Sequence, residues 1–201
     1  MRKLVGDVDI DFANRNQALA LLDYVPASII RNNNIVKHNT GVYFHAVPTD
    51  PLTGLASLNY EEAEQQGWYK VDLLNVGVYE LVKSEQHLLD LMSQELDYNL
   101  LTYPEFTSQL THLGNHADMV ASLKPCNIQE IAMVLALIRP GKRHLFEKCK
   151  AHGFDAIKQE IWANSASGGY TFHKSHATSY AVLVKVHANL IVEQATYTID
   201  S

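Results

Sequence analysis

The feature that most constrains this chain is an alternation near its start. From Leu4 to Phe12, Val8, Ile10 and Phe12 fall at one parity and Asp7, Asp9 and Asp11 at the other. Side chains of a strand point alternately to opposite faces, so a period of two predicts a half-buried strand with a row of three carboxylates on its polar face. Neighbours in such a row stand roughly 7 Å apart and repel one another. A solvated face tolerates that repulsion. A hard divalent cation removes it, because Mg²⁺ takes carboxylate oxygens while keeping waters and substrate phosphates as its other ligands. Asp72 offers a further carboxylate, set between Val71 and Leu73 in the β-prone run 68–74. An unpaired charge is costly there. Asp72 is therefore either a third ligand or a structural group, a cap or an ion-pair partner of Lys70.

The rest of the chain supplies the setting. Residues 14–24 read as a short helix, Pro26 and Asn32-Asn33-Asn34 as a loop, Gly41–Val47 as a second strand and Pro48–Gly54 as a turn. The run 68–74 is a third strand, and 78–96 has helical spacing in Val78, Leu81, Val82, Leu88, Leu89 and Met92. The second half reads as helical. Its clearest boundary is Asn127 with Glu130, a capping box opening the run 128–138, which Arg139-Pro140-Gly141 ends. Further helices are expected over 154–164 and 175–194, separated by a Gly-rich break at 165–169. The expected fold class is α+β: a small sheet packed with helices over about 1–98, then a helical portion over about 99–201, all in one domain. A chain of 201 residues that is 47% apolar can bury such a core. Cys126 and Cys149 have no metal-ligand spacing and are expected to be reduced. With no signal peptide in MRKLVGDVDID and no membrane-spanning run, the expected location is the cytoplasm.

Five segments, in order, resemble the alpha subunit of bacterial DNA polymerase III, the C-family replicative polymerases. Gly6-Asp-Val-Asp-Ile-Asp-Phe12 with Arg15 is similar to the family's P-D-x-D-x-D-F strand, with Gly6 in place of Pro. Lys37-His38-Asn-Thr-Gly41-Val42 resembles K-H-x-x-G-V, and Lys70-Val71-Asp72-Leu73-Leu74 resembles the K-x-D-x-L strand. Leu123-Lys124-Pro125 and Ala136-Leu-Ile-Arg139-Pro140-Gly141 resemble L-K-P and A-L-x-R-P-G. Gly169-Tyr-Thr-Phe172-His-Lys174-Ser175-His176-Ala177 with Tyr180-Ala181 resembles G-Y-x-F-x-K-S-H-x-x-x-Y-A, the most specific of the five. The resemblance implies a nucleotidyltransferase-like palm sheet. It implies that Asp9, Asp11 and Asp72 are catalytic ligands for two Mg²⁺ ions, with Mn²⁺ as a substitute, and that Asp7 is a neighbour. It also implies that Lys37, Lys70, Arg139, Lys174 and His176 lie around the incoming nucleotide's phosphates. Arg grips phosphate bidentately and Lys acts on it as a point charge. The structural alternatives are surface positions for Lys37 and His38, a helix C-cap for Arg139 and an N-cap for Ser175.

The departures from the family shape the expected function. A Gly-Ser phosphate-binding segment is not found ahead of Gly6, Asp11 and Asp72 are only about sixty residues apart, and little of the fingers remains between Gly141 and Gly169. A net charge of −6 also argues against gripping a duplex unaided. The expectation is a miniature or split palm, such as a compact phage genome would carry. It would add deoxynucleotides to a primer 3′-hydroxyl during replication, acting on primer-template and dNTPs with a partner chain that supplies the missing parts. The alternatives are a catalytically inactive palm remnant that binds a replisome and a metal-dependent nuclease.

Overall fold

The computed structural model describes residues 8–163 and 172–199, with the side chains of 197–199 left aside. Asp7, Gly6 and the break containing Gly169 and Tyr170 lie outside the described residues. The chain forms two compact units, Met1–Leu81 and Val82–Ser201. It is α+β, with a mixed four-stranded sheet in the first unit and helices throughout the second.

In the first unit the order along the sheet is β1 (Val8–Phe12), β4 (Val71–Asn75), β3 (Asn34–Tyr43) and β2 (Val25–Arg31). The expected strand at the start of the chain is present as β1 and pairs parallel with β4. Between them in sequence lie α1 (Arg15–Leu19), capped by the Asn14 side chain, and α2 (Tyr60–Gln65), capped by that of Asn59. Both sheet faces carry apolar residues. Val42, Leu73 and Leu19 pack together on one face, with Phe12, Tyr24 and Val71 against them. On the other, Ala27 and Tyr43 pack with Val47, Ala56 and Ala63. Val8 and Ile10 are each 42% exposed, because β1 is an edge strand and the core is centred further in.

Residues 26–34, expected to be a loop, instead build the β2–β3 hairpin. Asn32 and Asn33 have φ of 50° and 60°. Two successive left-handed residues match the twist of a tight hairpin turn, and Asn tolerates that conformation better than other non-glycine residues. Pro26 is accommodated because β2 is an edge strand. The strand expected over 41–47 ends at Tyr43, and β3 extends instead back to Asn34.

The second unit is organised around α6 (Ile128–Leu137), in which every residue from Ile131 to Leu137 is buried. A helix apolar all round is a central helix. Its start is the expected capping box: Asn127 Oδ1 accepts the Glu130 N–H at 2.9 Å, and Glu130 Oε2 accepts the N–H of Cys126 at 2.8 Å. Packed with it is α8 (Lys174–Ile199), which presents Ala177, Ala181, Val184 and Ala188 to the same core. Small side chains at helical spacing allow two helices to approach closely. A second buried set on α8, Leu183, Val186 and Leu190, serves the side where α3 (Glu85–Ser93) lies. There Asn189 Nδ2 donates to the carbonyls of Leu91 and Gln94.

Around this pair run α4 (Pro104–Thr107), α5 (Ala117–Leu123) and α7 (Phe146–His152), joined by short 3₁₀ turns. The periodic run 78–96 is broken into a 3₁₀ turn at Gly77–Leu81 and α3, with Ser84 capping the latter through the His87 N–H. The expected helix at 154–164 is a 3₁₀ turn over Phe154–Ile157, and α7 was not foreseen. The helix expected from Ser175 starts at Lys174, so Ser175 sits inside its first turn. Behind Arg139-Pro140-Gly141, which ends α6 as expected, Lys142 is only 4% exposed. Its ammonium donates to the carbonyls of Glu160 and Ala163, both at 2.6 Å.

Truncating Leu135, fully buried on α6, is expected to cost about 3 kcal/mol of stability as Leu135→Ala, while Asn127→Ala costs about 1 kcal/mol through the lost cap. Chemical denaturation of both variants checks the ranking.

Candidate functional site

Strand pairing decides where the acids of the first unit stand. In the parallel β1–β4 ladder Asp9 is the direct partner of Asp72, and Asp11 of Leu74. Adjacent strands lie about 4.8 Å apart and registered residues share a face. Asp9, Asp11 and Asp72 therefore share one side of the sheet, the side of Gly41 and Tyr43, since Gly41 is the partner of Asp72 on β3. Exposure falls along this group: Asp11 is exposed, Asp9 half-buried and Asp72 8% exposed.

Asp72 is held tightly. Lys70, two residues earlier and just ahead of β4, places Nζ on Asp72 Oδ2, and Thr40 Oγ1 donates to Oδ1 at 2.8 Å. Lys70 also lies 5.4 Å from the centroid of the Tyr60 ring. The ion-pair alternative for Asp72 is thus realised. Among the described residues, no three His, Cys, Asp or Glu side chains form a group that could hold a metal ion. A hard divalent cation held by Asp9 and Asp72 would have to displace the Lys70 ammonium from Asp72 Oδ2.

A bulge in β3 makes room for this arrangement. The β2–β3 register jumps from Ser28↔Lys37 to Pro26↔Val42. The intervening His38–Gly41 segment folds back on itself, and His38 Nδ1 accepts the N–H of Gly41 at 2.8 Å and of Thr40 at 3.3 Å. With its lone pair so directed, Nδ1 makes no hydrogen bond to Asp72 Oδ1 although it lies 3.6 Å away. Burial holds the His38 imidazole below its ordinary pKa; the charge of Asp72 opposes this, and Lys70, Arg31 and Arg15 reinforce it. His38 is therefore neutral near pH 7. Arg15 Nη2 reaches the Thr40 carbonyl at 3.3 Å, and its backbone N–H donates to Asn75 Oδ1 at 3.0 Å. Burial, then the charges of Asp72 and Glu64, pushes the Tyr43 phenol up. Lys37 is exposed on the hairpin opposite Ser28.

Arg139, Lys174 and His176, expected near the nucleotide, belong to the second unit, where two of them meet one aromatic group. The Arg139 guanidinium lies 4.4 Å from the Phe172 ring centroid. Phe172 stacks on Tyr180 at 5.6 Å, and His176 lies within 5.0 Å of both rings. His112 meets Tyr180 edge-on at 4.3 Å. Beside this group is a cavity of about 380 Å³ lined by Ser108, His112, Asn115, His116, Ile138 and Arg139 among others. Among the described residues its lining carries the Arg139 cation and no carboxylate, a chemistry that suits an anion. Burial lowers the pKa of His112, with Arg139 and His176 adding to the effect; burial likewise lowers that of His116, with Arg143 and Arg139 adding. Lys174 is exposed in the first turn of α8.

Sequence reasoning singled out Asp9, Asp11, Asp72, Lys70, Arg139 and His176. It missed the roles of Thr40, Arg15 and Tyr60 around Asp72, and the whole 108–116 wall of the cavity. The only signal for that wall was two histidines, His112 and His116, close together in a polar stretch. Set against known proteins, the chain matches no family model and no curated protein. The polymerase likeness therefore rests on the five segments themselves.

A Cβ on Gly41 would stand 2.9 Å from both His38 Nδ1 and Lys70 Cδ. Gly41→Ala is expected to push both side chains aside and to cost about 1–3 kcal/mol by overpacking, read by thermal denaturation. The histidines give a second expectation. A histidine whose folded pKa is depressed contributes stability that is present above its unfolded value of about 6.5 and lost as pH falls through the folded value. His38, His112, His116 and His187 all shift downward. The melting temperature should therefore fall from pH 7 to pH 5, before most carboxylates titrate, and His112→Asn should flatten that fall.

Proposed function

We propose that this chain is a nucleotidyltransferase of the DNA polymerase III alpha type, adding deoxynucleotides to a primer 3′-hydroxyl. The single observation that carries the proposal is the register of β1 and β4, which sets Asp9 beside Asp72 with Asp11 on the same face. Carboxylates on one face have the donor chemistry that, once Lys70 gave way, would suit a pair of divalent ions, Mg²⁺ or Mn²⁺, which lower the pKa of an attacking hydroxyl and stabilise the leaving oxygen in phosphoryl transfer. Asp9 and Asp72 would hold the ions and Asp11 would complete the set at the exposed end of the row.

Each unit, taken by itself, also carries cations with the chemistry to contact phosphate. Arg139, with its guanidinium over Phe172 and beside a cavity whose described lining holds no carboxylate, has the chemistry to bind phosphate. His176 would support it through the shared aromatic group, and the exposed Lys174 and Lys37 would add point charges. The net charge of −6 makes a protein partner part of this reading, since duplex binding draws on clustered cations. None of the described helices is long and apolar enough to cross a membrane.

A second reading is a palm-like scaffold without catalysis that binds a replisome. It is favoured by one observation, that both oxygens of Asp72 are already satisfied by Lys70 and Thr40.

Primer extension with Mg²⁺ and labelled dNTPs separates the two, using the wild type, Asp9→Asn and Asp72→Asn, each with and without candidate replisome partners. The polymerase reading expects extension by the wild type and loss to background in both variants. Tight partner binding without extension under any condition sinks that reading in favour of the scaffold. Products that shorten the primer without dNTPs would indicate a nuclease.

A further inference from the structure

We propose that the cavity beside Arg139 is a binding site for a tetrahedral oxyanion of the phosphate class, one that needs no metal ion and in which His112 and His116 take up protons as the anion enters. The inference rests on the reading of Arg139 as a phosphate contact, concerns the second unit alone and does not draw on the carboxylates of the first.

The cavity is built around an unspent donor. Arg139 lines it, and Arg139 Nε is buried without a hydrogen-bond acceptor among the described residues. A buried donor left unpaired costs stability, and a charged one costs more. The guanidinium also lies over the Phe172 ring, 4.4 Å from its centroid. Packed by one face on an aromatic ring, it keeps its N–H groups in the plane of the fork, where they match the oxygens of phosphate. No carboxylate among the described lining residues competes for them. The volume of about 380 Å³ lies toward the small end of ligand pockets and admits a short phosphate chain.

The wall formed by 108–116 adds groups that can gain charge. His112 has a φ of 62°, a conformation that residues with side chains disfavour, and a Cβ on Gly114 would stand 2.5 Å from the Ser108 carbonyl oxygen. So tight a fold brings His112, Asn115 and His116 to one lining. The loop is also held by His187, whose Nδ1 accepts the Thr111 N–H at 3.0 Å. Among the described residues, the charged and titratable groups around His112 are Arg139, His176 and Tyr180, and those around His116 are Arg143 and Arg139. Burial first, and then these positive charges, hold both imidazoles below their ordinary pKa. A doubly charged anion reverses the local field and favours the protonated rings, so binding and proton uptake support each other.

The test is isothermal titration of the full chain, without divalent ions, using sulfate, inorganic phosphate, pyrophosphate and dATP. Sulfate keeps its double charge from pH 7 to pH 5, so the pH dependence of its affinity reports the protein's protons alone. Wild-type affinity for sulfate is expected to rise about tenfold over that range, since each proton taken up contributes up to about tenfold per pH unit. His112→Asn and His116→Asn should each reduce the rise. Arg139→Gln is expected to weaken binding of every anion about tenfold at pH 7 through the lost charge-assisted hydrogen bonds, and Lys158→Gln, which removes an exposed cation outside the lining, to leave it unchanged. Arg139 packs on Phe172, so a second measurement is made on the wild type in case Arg139→Gln fails to fold: the ring-proton resonances of His112 and His116 should titrate at higher pH with saturating sulfate than without it. Tighter binding of dATP than of pyrophosphate identifies the anion as the end of a nucleotide and equal affinity identifies a free phosphate, either of which supports the site. Failure of the wild type to bind any of these anions, or undiminished affinity in folded Arg139→Gln, overturns the site. Sulfate affinity that does not change with pH, or histidine titrations that sulfate leaves in place, overturns the proton uptake. Neither primer nor divalent ion is present, so the carboxylate-based polymerase reading and the anion site can each fail while the other stands.

Discussion

The first unit is arranged around one costly act, the burial of the Asp72 carboxylate beside a second acid. An ionised carboxylate removed from water loses several kcal/mol of hydration unless charges and hydrogen bonds replace it. Lys70, the residue just ahead of β4, answers with a charge, and Thr40 with a hydroxyl from the neighbouring β3. Thr40 can do so because β3 bulges between Lys37 and Val42, and the bulge holds its shape because His38 accepts two of its backbone N–H groups. Gly41, opposite Asp72, completes the arrangement by having no side chain to occupy the space of Lys70 and His38. A β3 without the bulge would present a different residue to Asp72 and leave the carboxylate short of a donor.

The second unit solves a different problem. Its centre is a helix apolar on all sides, which must be wrapped completely, and α8 does much of this with a stripe of small residues on one side and larger ones on the other. Among the described residues, polar side chains in this interior satisfy backbone groups, as Asn189 does for the end of α3 and Lys142 for the carbonyls of Glu160 and Ala163. The cavity at Arg139 departs from that economy. There an arginine, two histidines whose pKa burial lowers, and an asparagine surround open space, with no acid among the described lining residues. A chain that is acidic overall thus keeps a local site whose chemistry favours an anion.

Much of this was legible in the residues, for reasons that differ by element. The period of two in 8–12 and the capping box at Asn127 are local signals, and both appear as expected. Residues 26–34 misled because Pro and Asn are loop formers in general, whereas here Pro lies on an edge strand and two asparagines adopt the left-handed conformation of a tight hairpin. The run 78–96 misled because helical spacing in apolar residues does not by itself place the cap at Ser84 that starts α3 late. The residues around Asp72 could be named individually, Lys70 most readily, yet the contribution of Thr40 depends on a bulge that no local pattern announces.

By itself the sequence determined that Asp9 and Asp11 share a strand face, that Lys70 lies two residues from Asp72 and on the same side, and that 128–137 is a capped helix, apolar throughout 131–137. These follow from the geometry of one strand or one helix. Only the tertiary structure decided that β1 and β4 run side by side in a register that makes Asp9 the partner of Asp72, and that Arg139, Phe172, His176, Tyr180 and His112 form one group, of which Arg139 and His112 also line a cavity. Register and long-range packing depend on the free energy of many contacts between distant segments, and no short stretch of chain contains them.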